Sequence, residues 1–138
     1  MFETWQRDLL VSLPVARLAT IATDGRPHVV PVCFALIGET VVIAIDEKPK
    51  RAGVELARLR NIRRDSRVSF LVDRYEADWG RLAWVRIDGR ARIFLLGAEH
   101  PKALEALRAR YPQYGPMALE RLPLIEITTE KVTGWRFA

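Results

Sequence analysis

Residues 17–64 read RLATIATDGRPHVVPVCFALIGETVVIAIDEKPKRAGVELARLRNIRR, and this stretch predicts three consecutive strands that deliver the chain into a basic helix. Asp24-Gly25 predicts a two-residue hairpin turn with positive φ at both central positions, and Gly38-Glu39 predicts the turn that places glycine first. The strands so bounded are 17–23, 28–36 and 40–46. Alternation along the second puts Val30, Val32, Phe34 and Leu36 on one face and Val29, Pro31, Cys33 and Ala35 on the other. Pro31 cannot donate to a ladder, so it predicts an edge or a bulge. Backbone groups left over there can bond a ligand, and an irregular edge without a ligand fits the residue equally well.

The third strand ends in Asp46-Glu47-Lys48-Pro49-Lys50-Arg51, just before a segment, 51–64, whose Ala52, Leu56, Leu59 and Ile62 recur at helical spacing. Backbone N–H groups at a helix start lack intrahelical partners, so lysines gathered beside them favour a phosphate. A solvated lysine-rich linker has the same composition, and no glycine-rich phosphate fingerprint accompanies this one. Arg58, Arg60, Arg63 and Arg64 make the helix's outer face cationic, which suits phosphate, nucleic acid or plain solvation.

Working outward, Phe2, Trp5, Leu9 and Leu10 predict an amphipathic helix over 2–12, ended by Pro14. A fourth strand at 67–73 alternates Val68, Phe70 and Val72, and the polar turn RYEADWGR leads to a long fifth strand from 82 to about 96. Gly89 in its middle predicts a bulge or bend of the kind that curls a sheet into a barrel. A helix at 99–110, a break at YPQYGPM, and strands at 124–129 and 132–137 around Glu130-Lys131 complete the chain. The fold class is mainly β with helices (α+β): antiparallel, about seven strands, three or four helices, and one domain over 1–138.

The 22 Lys and Arg against 17 Asp and Glu leave a charge of +5, which favours an acidic partner. Cys33, the one cysteine, excludes an intrachain disulfide and fits a reducing compartment. The opening MFETWQRDLLVSL is acidic and short in apolar run for a secretory signal, and no stretch approaches a membrane span, so the cytoplasm is expected. His28 and His100 are isolated in sequence, no His/Cys cluster has metal-ligand spacing, and G-x-S-x-G, G-x-G-x-x-G and G-x-x-x-x-G-K-[ST] are all missing. His28, beside a hairpin turn, reads as a surface residue. Without an evident nucleophile, metal or acid–base pair, the chemistry falls to a bound cofactor. Trp79, among Asp78, Gly80 and Arg81, is the aromatic placed to cover a flat ring, whereas Trp84 reads as core.

The motifs in order, R-x-A-T-[IV], D-G-R-P-H, a proline-bearing second strand, K-P-K, L-R-N-I, R-V-S-x-L-V-D and D-W-x-R-L, resemble the pyridoxamine-phosphate-oxidase-like split-barrel oxidoreductases. The particular resemblance is to the coenzyme F-420-dependent branch, and it runs from Val15 to Trp135. It implies an FMN-binding-type split barrel in a homodimer with two cofactor sites at the subunit interface. By matching position, Leu18, Ala19 and Thr20 would lie along the cofactor's ring and ribityl chain, and Pro31 and Val32 would present backbone to the ring edge. Lys48, Lys50 and Arg51 would take the phosphate with Arg58 nearby, and Trp79 would reach across from the second subunit. Nothing carries over a pyridoxal-phosphate substrate site.

The expected function is an oxidoreductase passing hydride between coenzyme F-420 and an unsaturated or quinone-like small molecule, with FMN in the same fold as the alternative cofactor. The surplus of arginine suits the anionic tail of a deazaflavin. A cofactor-binding protein without turnover is the alternative of another class. A nucleic-acid-binding barrel is disfavoured, because it needs a basic groove with stacking aromatics and the arginines here collect on a helix.

Overall fold

The computed structural model describes residues 1–46 and 56–137. Seven strands form one antiparallel sheet: β1 (Ala16–Ile21), β2 (Pro27–Val32), β3 (Ala35–Ile37), β4 (Thr40–Ala44), β5 (Arg67–Arg74), β6 (Ala83–Phe94) and β7 (Leu124–Arg136), in the order β2-β1-β5-β6-β7-β4-β3. The two outermost strands are consecutive in the chain, with Cys33 and Phe34 alone between them. Two residues hold the ends of the outermost strands together, so the sheet curls round, and because β2 and β3 do not pair the barrel stays split. Three α-helices accompany it among the described residues: α1 (Thr4–Ser12), α2 (Ala57–Arg64) and α3 (Pro101–Arg110).

Inward-facing Leu18, Phe34, Val41, Ile43, Phe70, Val85, Ile87, Ile125 and Ile127 are sealed from solvent and fill the barrel. Phe34 meets Phe70 edge to face, with ring centroids 4.8 Å apart. Leu9 and Leu10 of α1 and Leu59 and Ile62 of α2 join this core, and α3 builds a second one by laying Ala103, Leu104 and Leu107 against Ala35, Val42 and Ala44.

The predicted strand 28–36 is two strands. Its facing pattern runs unbroken, since Val30, Val32, Phe34 and Leu36 all pack on the barrel core while Cys33, Ala35 and Ile37 turn to α3. The ladder, however, breaks at Cys33 and Phe34. There the Phe34 N–H donates to the Tyr111 hydroxyl at 3.1 Å, and the Phe34 carbonyl accepts from that hydroxyl at 2.9 Å and from Arg110 Nη1 at 3.1 Å. Conversely, the predicted strands 124–129 and 132–137 are one strand. Thr129 pairs with Gly89 and Lys131 with Asp88, so Glu130 is an extra residue absorbed by a bulge. Gly89 marks the bulge as predicted, with the additional residue on the partner strand.

Two further expectations change. The first hairpin turns through three residues: the Gly25 N–H donates to the Ala22 carbonyl at 2.8 Å and the Ala22 N–H to the Arg26 carbonyl at 2.8 Å. Gly25 has φ 85° and among the described residues no non-glycine residue has positive φ, so Asp24 keeps an ordinary conformation and instead accepts from the Arg26 N–H. The predicted helix 51–64 begins at Ala57, because Leu56 is extended at φ −62°, ψ 137° and cannot carry a helix backward; Ala52 lies outside the described residues.

Candidate functional site

β2 is an edge strand, and its register decides what that edge offers. The Ala22–Arg26 bond starts the ladder, and antiparallel pairs alternate between bonded and non-bonded, so Thr20/His28, Leu18/Val30 and Ala16/Val32 exchange bonds across to β1. Pro27, Val29 and Pro31 therefore turn their backbone groups away from the sheet. Both prolines occupy positions where the missing N–H costs no ladder bond. The free edge presents the carbonyls of Pro27, Val29 and Pro31 with the Val29 N–H between them, and Val29 and Pro31 are exposed.

On β1, Leu18 and Thr20 face inward and are buried, while Ala19 faces out, half-buried. Ala19, Ile21 and Pro27 line an open groove of ≈ 550 Å³ with Arg67 and Ser69 of β5. Of the sequence-predicted residues, Ala19 and Pro31 offer side chains to the outside and Pro31 also its carbonyl, whereas Leu18, Thr20 and Val32 face inward with their backbone groups spent on the β1–β2 ladder, so Val32 does not present backbone to the free edge. Thr20 is held from within: its hydroxyl accepts from Asn61 Nδ2 at 2.9 Å, and Arg64 donates to the Ile21 carbonyl. These bonds moor α2 to β1 and fix Arg58 on the same helix.

Arg58 is half-buried near the Asp46 carboxylate and Tyr114. Burial lowers its guanidinium from the ordinary value, and Asp46 and then Tyr114 pull it back up. The Tyr114 hydroxyl is 3.3 Å from Asp46 Oδ2. Burial, with Cys33 and Asp46 adding to it, pushes this phenol up, so it stays neutral and donates to Asp46. A cation, a buried carboxylate and a neutral phenol thereby gather next to the end of β4, and K-P-K follows Asp46 shortly in the sequence. Lys48, Lys50 and Arg51 themselves lie outside the described residues.

Trp79 stands in a 3-10 turn (Trp79–Arg81) at the β5–β6 connection, 70% exposed. The Asp78 carboxylate caps the turn by accepting from the Gly80 N–H at 3.1 Å. Trp84 is not core: it faces outward on β6, half-buried, and with Leu71, Asp73, Tyr75 and Arg86 lines a ≈ 360 Å³ hollow on the same outer face as the groove. His28 is not a surface residue either, since alternation turns it inward with Val30 and Val32, and its Nδ1 is buried without a partner among the described residues. His100 serves structure: its Nδ1 accepts from the Ala103 N–H at the start of α3, and its Nε2 lies 2.8 Å from Glu126 Oε2.

Asp46, Asn61 and Tyr114 carry site geometry that the sequence reading did not assign. The signal for Asn61 was available: an amide on the inward face of α2, between Leu59 and Ile62, has to find a buried partner.

A family model described as pyridoxamine 5'-phosphate oxidase matches residues 3–136. Among solved structures, a conserved hypothetical protein of Mycobacterium tuberculosis is 27% identical at TM-score 0.74, covering 99% of this chain and 85% of that one. An FAD-binding protein of Mesorhizobium loti is 25% identical at TM-score 0.68, with 97% and 94% covered. A heme binding protein of Mycobacterium smegmatis shares the fold at TM-score 0.75 and 21% identity, with 96% of this chain and 53% of that one covered. No curated protein matches the sequence.

Proposed function

The chain belongs to the pyridoxamine 5'-phosphate oxidase family, and from that premise we propose that it is an oxidoreductase of a flavin-type cofactor, with coenzyme F-420 as the cofactor and an unsaturated or quinone-like small molecule as its partner in hydride transfer. The observation that carries the reading is the free edge of β2. Its single donor, the Val29 N–H, stands between the Pro27 and Val29 carbonyls, so it can donate to a ring carbonyl while one of those carbonyls accepts from the adjacent ring N–H of a flavin or deazaflavin, and small Ala19 leaves the neighbouring strand face open. The residues present fit such a group.

Bound there, the cofactor supplies two-electron hydride chemistry. The protein's part is placement. The β2 edge orients the ring plane, and Lys48, Lys50 and Arg51, with Arg58 braced by Asp46 and Tyr114, hold the phosphate. The outer face, where Ala19, Ile21, Leu71 and Trp84 alternate with Arg67, Asp73 and Arg86, would take a second copy of the chain, and Trp79, projecting from its turn, would then cover the partner's ring and exclude water. No helix among the described residues is long and apolar enough to cross a membrane; Cys33, a free thiol, fits a reducing cytoplasm.

FMN is the second reading, favoured by the likeness to the FAD-binding protein. Titrating apo-protein separately with F-420 and FMN, followed by fluorescence, separates the two. F-420 is expected to bind more tightly, and Lys50→Ala to lose about ten- to hundredfold in affinity, since a charge-assisted phosphate contact is worth roughly 1.5–3 kcal/mol. Tighter FMN binding reverses the order, and binding of neither sinks the oxidoreductase reading. Unchanged affinity in Lys50→Ala beside a large loss in Arg58→Ala would move the phosphate to α2.

Because catalysis is assigned to positioning, single replacement of His28, His100 or Cys33 by alanine is expected to leave turnover within about tenfold, below the roughly 10²–10⁴ that a general acid or base supplies. The assay is a panel of enones and quinones with pre-reduced cofactor. Loss of turnover in His28→Ala with cofactor affinity intact would make His28 the proton donor.

A further inference from the structure

A cavity of ≈ 320 Å³ separates α1 from the start of β6 and the end of β7, with no residue of β2 in its lining. Arg74, Arg81 and Arg136 all line it, with Trp5 and Asp8 of α1. Hydrogen bonds tether Arg74 and Arg81, and Arg136, an exposed side chain, rests on an aromatic ring. Arg74 Nε donates to the Arg81 carbonyl at 2.7 Å, Arg81 Nε to Glu76 Oε1 at 2.6 Å, and Arg136 stacks over the Trp5 ring 4.9 Å from its centroid. Glu76 answers Arg81 alone. Among the described residues no acceptor meets Arg136 or the terminal nitrogens of Arg74, and Asp8, although it lines the same cavity, pairs with none of the three.

Bringing cations together around a cavity raises their mutual repulsion, and only an anion between them turns that into attraction. The tethered forks are pre-positioned, which lowers the ordering entropy a ligand has to overcome, and arginine forks match the paired oxygens of carboxylate and phosphate. From the cavity and this charge arrangement we infer that the protein has a second anion site, which takes a small organic dianion, a dicarboxylate or a phosphate monoester. Its head lies between Arg74 and Arg136 and its carbon skeleton along the wall formed by Leu82 and Ala83. The volume is at the lower end of small-molecule pockets, too small for a dinucleotide. The site stands whether or not the cofactor reading holds.

Calorimetric titration of the cofactor-free protein with succinate and, separately, with glycerol 3-phosphate tests this at constant ionic strength. At least one probe is expected to saturate with one-to-one stoichiometry, and the tighter of the two names the ligand class. Arg136→Gln is expected to weaken it at least tenfold and Lys50→Ala to leave it unchanged. Asp8→Asn, which removes a competing negative charge from the cavity, is expected to tighten it. Failure of both probes to saturate at millimolar concentration overturns the inference, as does unchanged affinity in Arg136→Gln. Loss in Lys50→Ala equal to that in Arg136→Gln would place the binding at K-P-K instead and overturn it too. A thermal melt of each variant separates lost binding from lost folding, and if Arg136→Gln does not fold, unchanged or weaker binding in Asp8→Asn overturns the site by itself.

Discussion

Arg110→Ala is expected to destabilise the fold by about 2–3 kcal/mol, since hydrogen bonds to a charged group are worth roughly 1.5–3 kcal/mol and four carbonyls lose their shared donor at once. The Arg110 guanidinium joins three segments. It donates to the Leu10, Val11 and Leu13 carbonyls, where α1 ends without intrahelical partners, and to the Phe34 carbonyl at the break between β2 and β3, while stacking on the Phe34 ring 4.4 Å from its centroid. Alanine leaves those carbonyls short of a donor and opens a gap beside Phe34. Tyr111 supports the same break, its hydroxyl reaching the Pro14 carbonyl at 2.7 Å as well as Phe34. Because the break sets where β2 ends, the variant should also bind cofactor less well at temperatures where it is still folded. Urea unfolding with a fixed m-value reads the stability. Arg110→Lys is expected to recover only a part, since a lysine has no fork to span four carbonyls. A midpoint indistinguishable from the wild type would mean that neighbouring donors replace the arginine.

The same network explains which parts of the fold were legible in sequence. Residues 28–36 alternate cleanly, and each side chain does face where alternation puts it. What interrupts the ladder is Arg110 and Tyr111, more than 70 positions away, and nothing local announces them. The last strand failed in the opposite sense: Glu130-Lys131 has the polarity of a turn, yet a bulge accommodates one extra residue within a continuous strand. The strand number came out at seven because one split and one merger offset each other. At the site, Pro31 was legible, since a proline has only an edge or a bulge to go to. Asp46, Asn61 and Tyr114 were not, because a buried polar side chain takes its meaning from a partner on another segment, as Asn61 does from Thr20. Trp84 was misread because β6 is apolar on its inner face and carries an aromatic on its outer one, so hydrophobicity alone did not tell the faces apart.

Gly89→Ala is expected to lose about 3 kcal/mol or more, which for a chain of this size lowers the melting temperature by roughly 10 °C. The inward positions of β6 read Val85, Ile87, Gly89 and Ala91, so a side chain at 89 would ordinarily help fill the barrel. The bulge forbids it. By inserting Glu130 it swings the backbone of β7 across, and a Cβ at Gly89 would stand 2.1 Å from the Thr128 carbonyl oxygen and 3.3 Å from Ile127 Cγ2. The obstacle is backbone, which no rotamer change removes. Either β6 and β7 part locally and forfeit ladder bonds at the centre of the sheet, or the bulge slides and turns every residue beyond it to the wrong face. Gly38→Ala provides the comparison: there φ is 60°, nothing lies within 4 Å of the added methyl, and the expected loss is the roughly 1–2 kcal/mol of a left-handed backbone alone. Calorimetry on the two variants checks the order. Equal melting temperatures would show that the approach of Thr128 is relieved without disturbing the sheet, and the bulge would then not be what holds the curvature of the barrel.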